Sequence, residues 1–258
     1  MILDEIVKTK QREVADLKAA YAGKNLVAFA QKISPPRDFL TAFKPDHLAL
    51  IAEIKKASPS AGLIRPDFAA ASLAKSYEQS GVAALSVLTD RQYFQGELVH
   101  LMAAKEVTNI PVLRKDFIID ENQVYESRIA GADAILLIAR ILTDYELAGL
   151  LKMTQKLGMT ALVETHDAVD VERVLKTDAR VIGINNRDLD TLKVNLQTTY
   201  VLLKQFPALK KRLIISESGI STKHDVTQLK EAGVNGILVG EVFMRSSNIQ
   251  DKIRELMG

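Results

Sequence analysis

Two lysines and three glutamates stand at or near the ends of short aliphatic runs: Glu53, Lys55, Lys115, Glu164 and Glu217. Side chains two positions apart on a strand face the same side, so Glu53 and Lys55 share one face. If the five side chains all point inward, ammonium and carboxylate groups converge on one opening. Burying so many charges is costly unless they pair, and pairing moves their pKa values apart. The pattern predicts a site for general acid and base catalysis.

A purely structural ion-pair network is the alternative interpretation of the same five residues. The alternating positions Lys56, Arg114 and Asp116 belong to the other face of their runs. We expect these three side chains to face helices or loops and to form structural ion pairs.

Other polar and aromatic residues lie near the ends of these runs. Asn185 ends a sixth run, Arg187 follows it in INNRDL, and Ser218 follows Glu217. Spacing alone leaves open whether Asn185 and Arg187 bind a ligand or tie a loop. It also leaves open whether Phe94 and Phe117 are packing residues or pocket walls.

Two glycine-containing loops indicate a phosphate site. Gly219 lies in ESGIS (217–221) and Gly240 in VGEVFMRSSN (239–248), each after an aliphatic run. Backbone N–H groups and a short helix N-terminus there can hold a dianion, and a lysine from another rim adds charge. We therefore predict a phosphorylated substrate.

The four histidines, His47, His100, His166 and His224, lack the spacing of metal ligands. We expect no metal centre. His166 follows a strand and is expected to be a solvated loop residue.

The elements that position these residues follow a repeat. Four segments end in Gly81, Gly131, Gly158 and Gly233 and are each followed by an aliphatic run. Glycine suits the left-handed residue after a helix, and the runs resemble strands buried in a parallel sheet. The glycines are spaced at close to multiples of about 25 residues, the size of one strand and helix unit of a (β/α)8 barrel. The eight strand candidates are 48–54, 83–88, 111–115, 134–138, 160–164, 181–185, 213–217 and 236–240.

A (β/α)8 TIM barrel in the α/β class is therefore the predicted fold, over one domain of 258 residues. A doubly wound open sheet is the competitor, but the chain has no G-x-G-x-x-G after its first strand and no G-x-x-x-x-G-K. Residues 1–42 precede the first strand and form the predicted N-terminal helical extension. Its apolar residues stand at helical spacing: Ile2, Ile6, Val7, Val14 and Leu17.

Composition excludes several classes of protein. The chain is 47 % hydrophobic, 26 % charged and free of Cys, which argues against disordered chains and disulfide scaffolds and excludes a thiolate site. A formal charge of +2 with short basic runs argues against nucleic acid as a partner. No secretory signal or membrane span is present in the sequence, so we expect a cytoplasmic protein without a membrane partner.

Seven motifs together resemble the indole-3-glycerol phosphate synthase family. They occur in order along the chain: AEIKKASPSAG (52–62), VLTDRQYFQG (87–96), LRKDFIID (113–120), GADAILLIARIL (131–142), LVETHD (162–167), IGINNRDL (182–189) and ISESGI (215–220). The resemblance implies a (β/α)8 barrel with an N-terminal helical extension, no cofactor and, as is frequent in the family, a monomer. It implies a lyase of tryptophan biosynthesis, which closes the ring of 1-(2-carboxyphenylamino)-1-deoxyribulose 5-phosphate with loss of CO₂ and water.

The resemblance also implies roles for individual residues. Lys115 would be the general acid of ring closure, protonated beside carboxylates yet with a pKa lowered by desolvation. Glu164 would move protons in the later dehydration, Glu53 and Lys55 would assist, and Glu217 would orient charges. Which group handles which proton stays open. Asn185 and Ser218 complete the implied catalytic set.

Substrate-binding residues are implied in the same way. Arg187 and Asn185 would engage carboxylate and hydroxyl oxygens. The phosphate would lie at Lys55, Ser58, Ser218, Gly219, Gly240 and Glu241. The aromatic ring would lie among Pro59, Phe94, Phe117 and Leu136, and Ser58 also belongs to the implied substrate-binding set. The loop 56–67 would act as a mobile lid.

Two positions depart from the family's pattern. Ala61 stands where many members have a basic residue, and Glu241 stands where others have serine. A carboxylate repels a dianion, so we expect Glu241 to turn its side chain away and to offer only its backbone N–H.

Two other functions fit a barrel with these residues. In a Schiff-base aldolase, Lys115 or Lys55 would attack a carbonyl as a neutral amine. A catalytically silent barrel would bind phosphorylated metabolites and regulate a partner, but it would not need Glu53, Lys115 and Glu164 together with Lys55.

Overall fold

Eight parallel strands close into a barrel in the computed structural model, which describes residues 2–44 and 47–258. The strands are β1 (Ala49–Ile54), β2 (Ala84–Leu88), β3 (Val112–Lys115), β4 (Ala134–Ile138), β5 (Thr160–Thr165), β6 (Val181–Asn185), β7 (Leu213–Glu217) and β8 (Gly236–Val239). Each strand pairs with its neighbours in chain order, and β1 pairs with both β2 and β8. The predicted TIM barrel is confirmed and the open sheet is excluded.

The predicted strands agree with the observed ones to within one residue at each end. Two of the differences affect the site. Thr165 still belongs to β5, so His166 is the first residue beyond the strand. Gly240, predicted to end β8, is the residue before a short helix.

Helices alternate with the strands and cover the outside of the barrel. After the strands they are α3 (Ala70–Gln79), α4 (Leu98–Val107), α5 (Glu121–Ile129), α6 (Asp144–Lys156), α7 (Ala168–Leu175), α8 (Gln197–Gln205), α9 (Lys223–Glu231), α10 (Glu241–Met244) and α11 (Ile249–Met257). Short 3-10 helices span Phe39–Ala42, Ala139–Ile141 and Pro207–Lys211. Gly81 and Gly131 follow the ends of α3 and α5 with φ of +76° and +87°, as the repeat predicts.

Alternation along the strands divides the apolar residues into two cores. Outward residues such as Leu50 and Val87 pack against the helices. Inward residues, including Ile51, Leu113 and Leu162, fill the barrel itself. The next inward position on each strand, two residues on, lies at the carboxyl end.

The N-terminal extension consists of α1 (Ile2–Ala20) and α2 (Leu26–Lys32), followed by the 3-10 helix Phe39–Ala42. α1 buries Ile6 and Val14 as predicted, whereas Ile2, Val7 and Leu17 are half-buried. Its buried face also carries Lys10, which the apolar spacing did not indicate.

The extension reaches both ends of the barrel. Near the start of α1, Leu3 and Ile6 line a cavity with Phe117 at the carboxyl end of the strands. At the amino end, the fully buried Phe39 packs against Phe43, whose ring lies against the start of β8.

The loop after β1 contains a small hairpin, in which Ala57–Ser58 pairs with Gly62–Leu63. The backbone oxygen of Lys56 accepts hydrogen bonds from Ile64 and Arg65 at 2.9 and 3.2 Å. The hairpin was not predicted, and the mobile lid proposed for this loop stays a prediction. Along residues 2–44 and 47–258, no helix has the length and apolar character needed to cross a bilayer.

Candidate active site

The carboxyl ends of the barrel strands enclose a cavity of about 470 Å³. All five charged residues singled out from the sequence line it: Glu53, Lys55, Lys115, Glu164 and Glu217. They come from β1, β3, β5 and β7 and from the residue following β1, because inward positions on different strands meet at one end of a closed barrel.

Lys115 lies between two glutamates at the floor of the cavity. Its Nζ is 2.8 Å from Glu164 Oε2 and 3.4 Å from Glu217 Oε2. The lysine side chain is only 14 % exposed and both glutamates are 2 % exposed, so solvent screens these contacts weakly.

The surroundings of Lys115 raise its pKa on balance, so the prediction of a lowered pKa is wrong. Burial is the largest single effect and acts to lower the pKa, as expected, but the negative charges of Glu164, Glu217 and Glu53 together outweigh it. Lys115 is therefore a firmly protonated ammonium group at neutral pH.

The two glutamates around Lys115 differ in protonation. Burial raises the pKa of both carboxyl groups. Lys115 and His166 reverse this for Glu164 and hold its pKa below the ordinary range, whereas the pKa of Glu217 stays raised by burial and by the charge of Glu164. One ammonium group thus sits between an ionised carboxylate and a carboxyl group that retains its proton more readily.

A second pair stands at the β1 side of the cavity. Lys55 Nζ donates to Glu53 Oε1 at 2.6 Å. Gly240 lies against the Glu53 side chain, and Gly183 on β6 lies against the Glu217 carboxyl group. A Cβ at either glycine would collide with the carboxylate, so these two positions make room for the charged groups.

His166 contradicts the prediction of a solvated loop residue. Its side chain is 2 % exposed, with Nε2 at 3.1 Å from Glu164 Oε1 and Nδ1 at 3.4 Å from Asp170 Oδ2. Burial acts to lower the pKa of His166, but contacts with Asp170 and Glu164 raise it to about 9. The imidazole therefore lies between the Glu164 carboxylate and Asp170 on α7.

Asn185 and Arg187 tie a loop, and their binding of a ligand stays a prediction. Asn185 Oδ1 accepts from the backbone N–H of Arg187 at 3.0 Å, and Arg187 Nη1 donates to the Leu192 oxygen at 3.0 Å. Both residues tie the loop after β6, and both also line the cavity.

The loops after β7 and β8 form the lip of the cavity next to β1. Ser218, Gly219, Gly240 and Glu241 all line it, and Gly219 has φ of +83°. Glu241 Oε1 accepts from Arg245 Nε at 2.9 Å, so its carboxylate pairs with a cation one helical turn away. Arg245 lines the cavity too and was not singled out from the sequence, although the i, i+4 spacing to Glu241 was visible.

The apolar wall divides between two neighbouring cavities. Phe94 and Phe117, with ring centroids 6.1 Å apart, line both, and Leu136 lines the larger one. Ser58 and Pro59 line a second cavity of about 100 Å³ with Lys55, Arg187 and the start of α1. The structure thus places Ser58 beside Lys55 and the aromatic wall, and its contact with the phosphate stays a prediction.

Two of the three residues predicted on the alternate face, Arg114 and Asp116, form ion pairs, although Asp116 also lines the cavity. Lys56 is half-buried, and its structural ion pair stays a prediction. Arg114 Nη2 lies 3.0 Å from Asp116 Oδ2, and Arg114 Nη1 lies 2.8 Å from Glu126 Oε2 on α5. Among the residues that the structure describes, no three His, Asp or Glu side chains are grouped so as to hold a metal ion.

Comparison with known proteins identifies relatives over the whole chain. A family model described as "Indole-3-glycerol phosphate synthase" matches residues 3–256. The indole-3-glycerol phosphate synthase of Desulforamulus reducens is 46 % identical over 258 residues, covering 100 % of this chain and 97 % of the relative. That of Laribacter hongkongensis is 48 % identical over 251 residues, covering 96 % and 95 %.

Solved structures share the fold at low identity. A 3-hexulose-6-phosphate synthase has a TM-score of 0.63 at 17 % identity and covers 81 % of this chain and 98 % of its own. A mandelate oxidase variant has a TM-score of 0.61 at 15 % identity, covering 90 % and 83 %. At this level of identity, the two similarities support the barrel fold and carry no information about activity.

Proposed function

The chain belongs to the indole-3-glycerol phosphate synthase family, and from this membership we propose that it converts 1-(2-carboxyphenylamino)-1-deoxyribulose 5-phosphate into indole-3-glycerol phosphate, CO₂ and water. The observation that carries the proposal is the buried Lys115 ammonium between Glu164 and Glu217, within one cavity that has an apolar wall and a glycine-lined lip.

Lys115 is the proposed general acid of ring closure. As the aromatic carbon that bears the carboxylate attacks the ribulose carbonyl, negative charge develops on the carbonyl oxygen. A buried ammonium group stabilises that charge strongly, because little water screens it, and it transfers a proton as the oxygen becomes basic. Loss of CO₂ then restores the aromatic electrons of the ring.

The carboxylates are proposed to act in the dehydration that follows. Glu164, held ionised by Lys115 and His166, is a proton acceptor, and the raised pKa of Glu217 suits a group that holds a proton near neutral pH. Lys55 and Glu53, paired at 2.6 Å, are proposed to assist this step and to orient the intermediate.

The two ends of the cavity suit the two ends of the substrate. Backbone N–H groups near Gly219 and Gly240 are proposed to bind the phosphate, with Lys55 adding charge from the neighbouring end of β1. Ser218 and the backbone of Glu241 belong to the same proposed phosphate site. Phe94, Phe117 and Leu136 are proposed to surround the aromatic ring, with Arg187 holding its carboxylate.

The wider assignment is proposed from the family. The chain acts as one domain and as a monomer, in the cytoplasm, on a phosphorylated small molecule, without a cofactor, a nucleic acid or a membrane partner. These statements rest on the resemblance and on the charge balance of the sequence.

The Schiff-base aldolase alternative is disfavoured by the charge on Lys115. A lysine attacks a carbonyl as a neutral amine, and the surrounding glutamates raise the pKa of Lys115. Borohydride would trap a substrate adduct on Lys115 or Lys55 if this alternative held.

The direct test follows indole fluorescence with the carboxyphenylamino-deoxyribulose phosphate as substrate, which is favourable because the chain contains no Trp. The wild type is expected to form product. Lys115→Ala is expected to lower kcat by at least about 10³-fold, since it removes a general acid and a buried cation together. Near-normal turnover in Lys115→Ala would overturn the assignment of the acid.

A matched control is Lys105→Met. Lys105 also pairs with a buried carboxylate, that of Asp133, but it lies on α4 outside the cavity. We expect this variant to keep near-wild-type kcat at temperatures below its Tm, and circular dichroism to show that both variants are folded.

A further inference from the structure

Lys10 is a charged residue on the buried face of α1. Its side chain is 2 % exposed, and its Nζ lies 2.8 Å from Asp90 Oδ2, 2.9 Å from Asp116 Oδ1 and 2.8 Å from Glu13 Oε2. The ammonium group donates a hydrogen bond to Glu13 and forms ion pairs with both aspartates, so three carboxylates surround the nitrogen.

The two aspartates belong to different barrel loops. Asp90 lies after β2 and Asp116 directly after Lys115 at the end of β3. Two carboxylates drawn toward one point repel each other unless a cation lies between them. Lys10, which is part of α1, therefore contacts both the loop after β2 and the loop after β3.

Each aspartate also holds the backbone of an aromatic residue. Asp90 Oδ1 accepts from the N–H groups of Tyr93 at 2.7 Å and Phe94 at 3.2 Å. Asp116 Oδ1 accepts from the Phe117 N–H at 2.8 Å. Phe94 and Phe117 are the facing rings that line both cavities.

We propose that Lys10 is a positioning residue that sets the separation of Phe94 and Phe117, the two rings that receive the aromatic part of the substrate. The proposal rests on the proposed function for the identity of that ring. It makes α1 part of the active site, although Lys10 itself touches no substrate.

Simple anchoring of α1 is the competing explanation for Lys10. Anchoring needs no charge here, because Leu3, Ile6 and Val14 bury the same face, and a buried ion pair stabilises no better than well-packed apolar side chains. Asp116 already has other partners: Thr89 donates to it at 2.6 Å and Arg114 at 3.0 Å. Thr89 also joins the loop after β2 to Asp116, and Lys10 adds a cation that joins the Asp90 carboxylate, which holds Phe94, to the Asp116 carboxylate, which holds Phe117.

The test compares Lys10→Met with Lys18→Met. Lys18 is the matched control, because it also links α1 to the barrel, through an ion pair of 2.6 Å with Asp120, but its partner holds neither aromatic residue. Two probes separate the ends of the cavity. Anthranilate reports the ring site by its own fluorescence, and glycerol 3-phosphate reports the phosphate site by competition with substrate.

Lys10→Met is expected to weaken anthranilate binding and to raise KM by about tenfold, while kcat changes less. The reason is that the aromatic wall binds the ring equally in the substrate and in the transition state, and loss of such binding changes KM and not kcat. Its Ki for glycerol 3-phosphate is expected to stay within about twofold of the wild type, and Lys18→Met is expected to stay within about twofold on every measure. An unchanged anthranilate affinity, or an equal loss for both probes, would overturn the proposal.

Asp90→Asn provides the same test if Lys10→Met does not fold. The amide oxygen can still accept from Tyr93 and Phe94, while the ion pair with Lys10 is lost, so the same selective loss of ring binding is expected. Wild-type turnover is measured first. Its absence would count against the proposed function, whereas anthranilate affinity tests the role of Lys10 without turnover.

Discussion

At the scale of single residues, the balance of charges around Lys115 decides the chemistry. Burial alone would make a neutral amine, which suits covalent attack on a carbonyl. Three glutamates reverse this and keep the cation. The group is therefore suited to stabilising an oxyanion and giving up a proton only when a more basic oxygen forms beside it.

The catalytic candidates found from the sequence end aliphatic runs, whereas the residues that were missed lie outside such runs. Glu53, Lys115, Glu164 and Glu217 follow aliphatic runs, so strand period alone indicates their direction. His166 was missed because β5 was ended one residue early, although its spacing of two from Glu164 equals that of Lys55 from Glu53.

Lys10 and Arg245 were missed for other reasons. A lysine within an apolar helical stripe resembles a surface residue that interrupts the pattern, because its partners come from distant loops. Arg245 lies beyond the last strand, directly after a short helix whose direction no periodicity predicts.

His166 makes stability depend on pH in a predictable direction. Its pKa is raised from 6.5 to about 9 in the folded chain. A raised histidine pKa stabilises the fold fully below about pH 6.5, and this stabilisation is lost as the pH rises through about 9. His166→Gln should therefore be less stable than the wild type at pH 6, and the difference should shrink by up to about 3 kcal/mol by pH 10.

Urea unfolding at the two pH values measures this difference. His224→Gln, at an exposed position on α9, controls for the chemical change itself. A difference for His166→Gln that stays constant or grows with pH would show that the imidazole is not held as a cation.

At the scale of elements, glycine positions on the strands matter to the site as much as charged positions do. Gly183 on β6 lies against the Glu217 carboxyl group and against Leu162. An added methyl group there must push the end of the Glu217 side chain away from Lys115. The backbone φ of this residue is not in the left-handed region, so the strand itself is not strained.

Gly183→Ala is accordingly expected to lower kcat by about tenfold or more while the strands keep their pairing, because a small displacement of a catalytic group is costly. Gly149→Ala on α6 is the matched control, since nothing lies within 4 Å of its added Cβ. It should leave kcat unchanged and stabilise the helix by about 0.5–1 kcal/mol. Steady-state kinetics and thermal melts distinguish the two variants, and equal kcat values would contradict the role of Gly183.

Sequence predicted the barrel strands well because each is a run buried on both faces. It could not predict the hairpin at 57–63, whose two strands have only two residues each and no apolar pattern. The placement of Ser58 beside Lys55 and the aromatic wall depends on that hairpin, so the sequence could not predict it.

At the scale of the whole molecule, chemistry and stability occupy opposite ends of the barrel. Phe39 is fully buried at the amino end, where it packs with Phe43, and the charged cavity lies at the carboxyl end. A change at Phe39 should therefore affect stability and leave the reaction intact.

Phe39→Ala is expected to reduce the free energy of unfolding by about 3–5 kcal/mol, the cost of a large cavity in a packed core. KM and kcat, measured well below the lowered Tm, should stay within about twofold of the wild type. A selective loss of kcat in the folded variant would show that the two ends are coupled.

The ring of Phe43 rests against Gly236 at the start of β8, so the N-terminal extension contacts the last barrel strand. Its other contacts, such as Arg37 with Asp133 and Arg128 with Ser34, lie in the first half of the barrel. Pairing of β8 with β1 therefore closes the barrel and adds the Phe43 contact in the same event, which couples this part of the extension to closure.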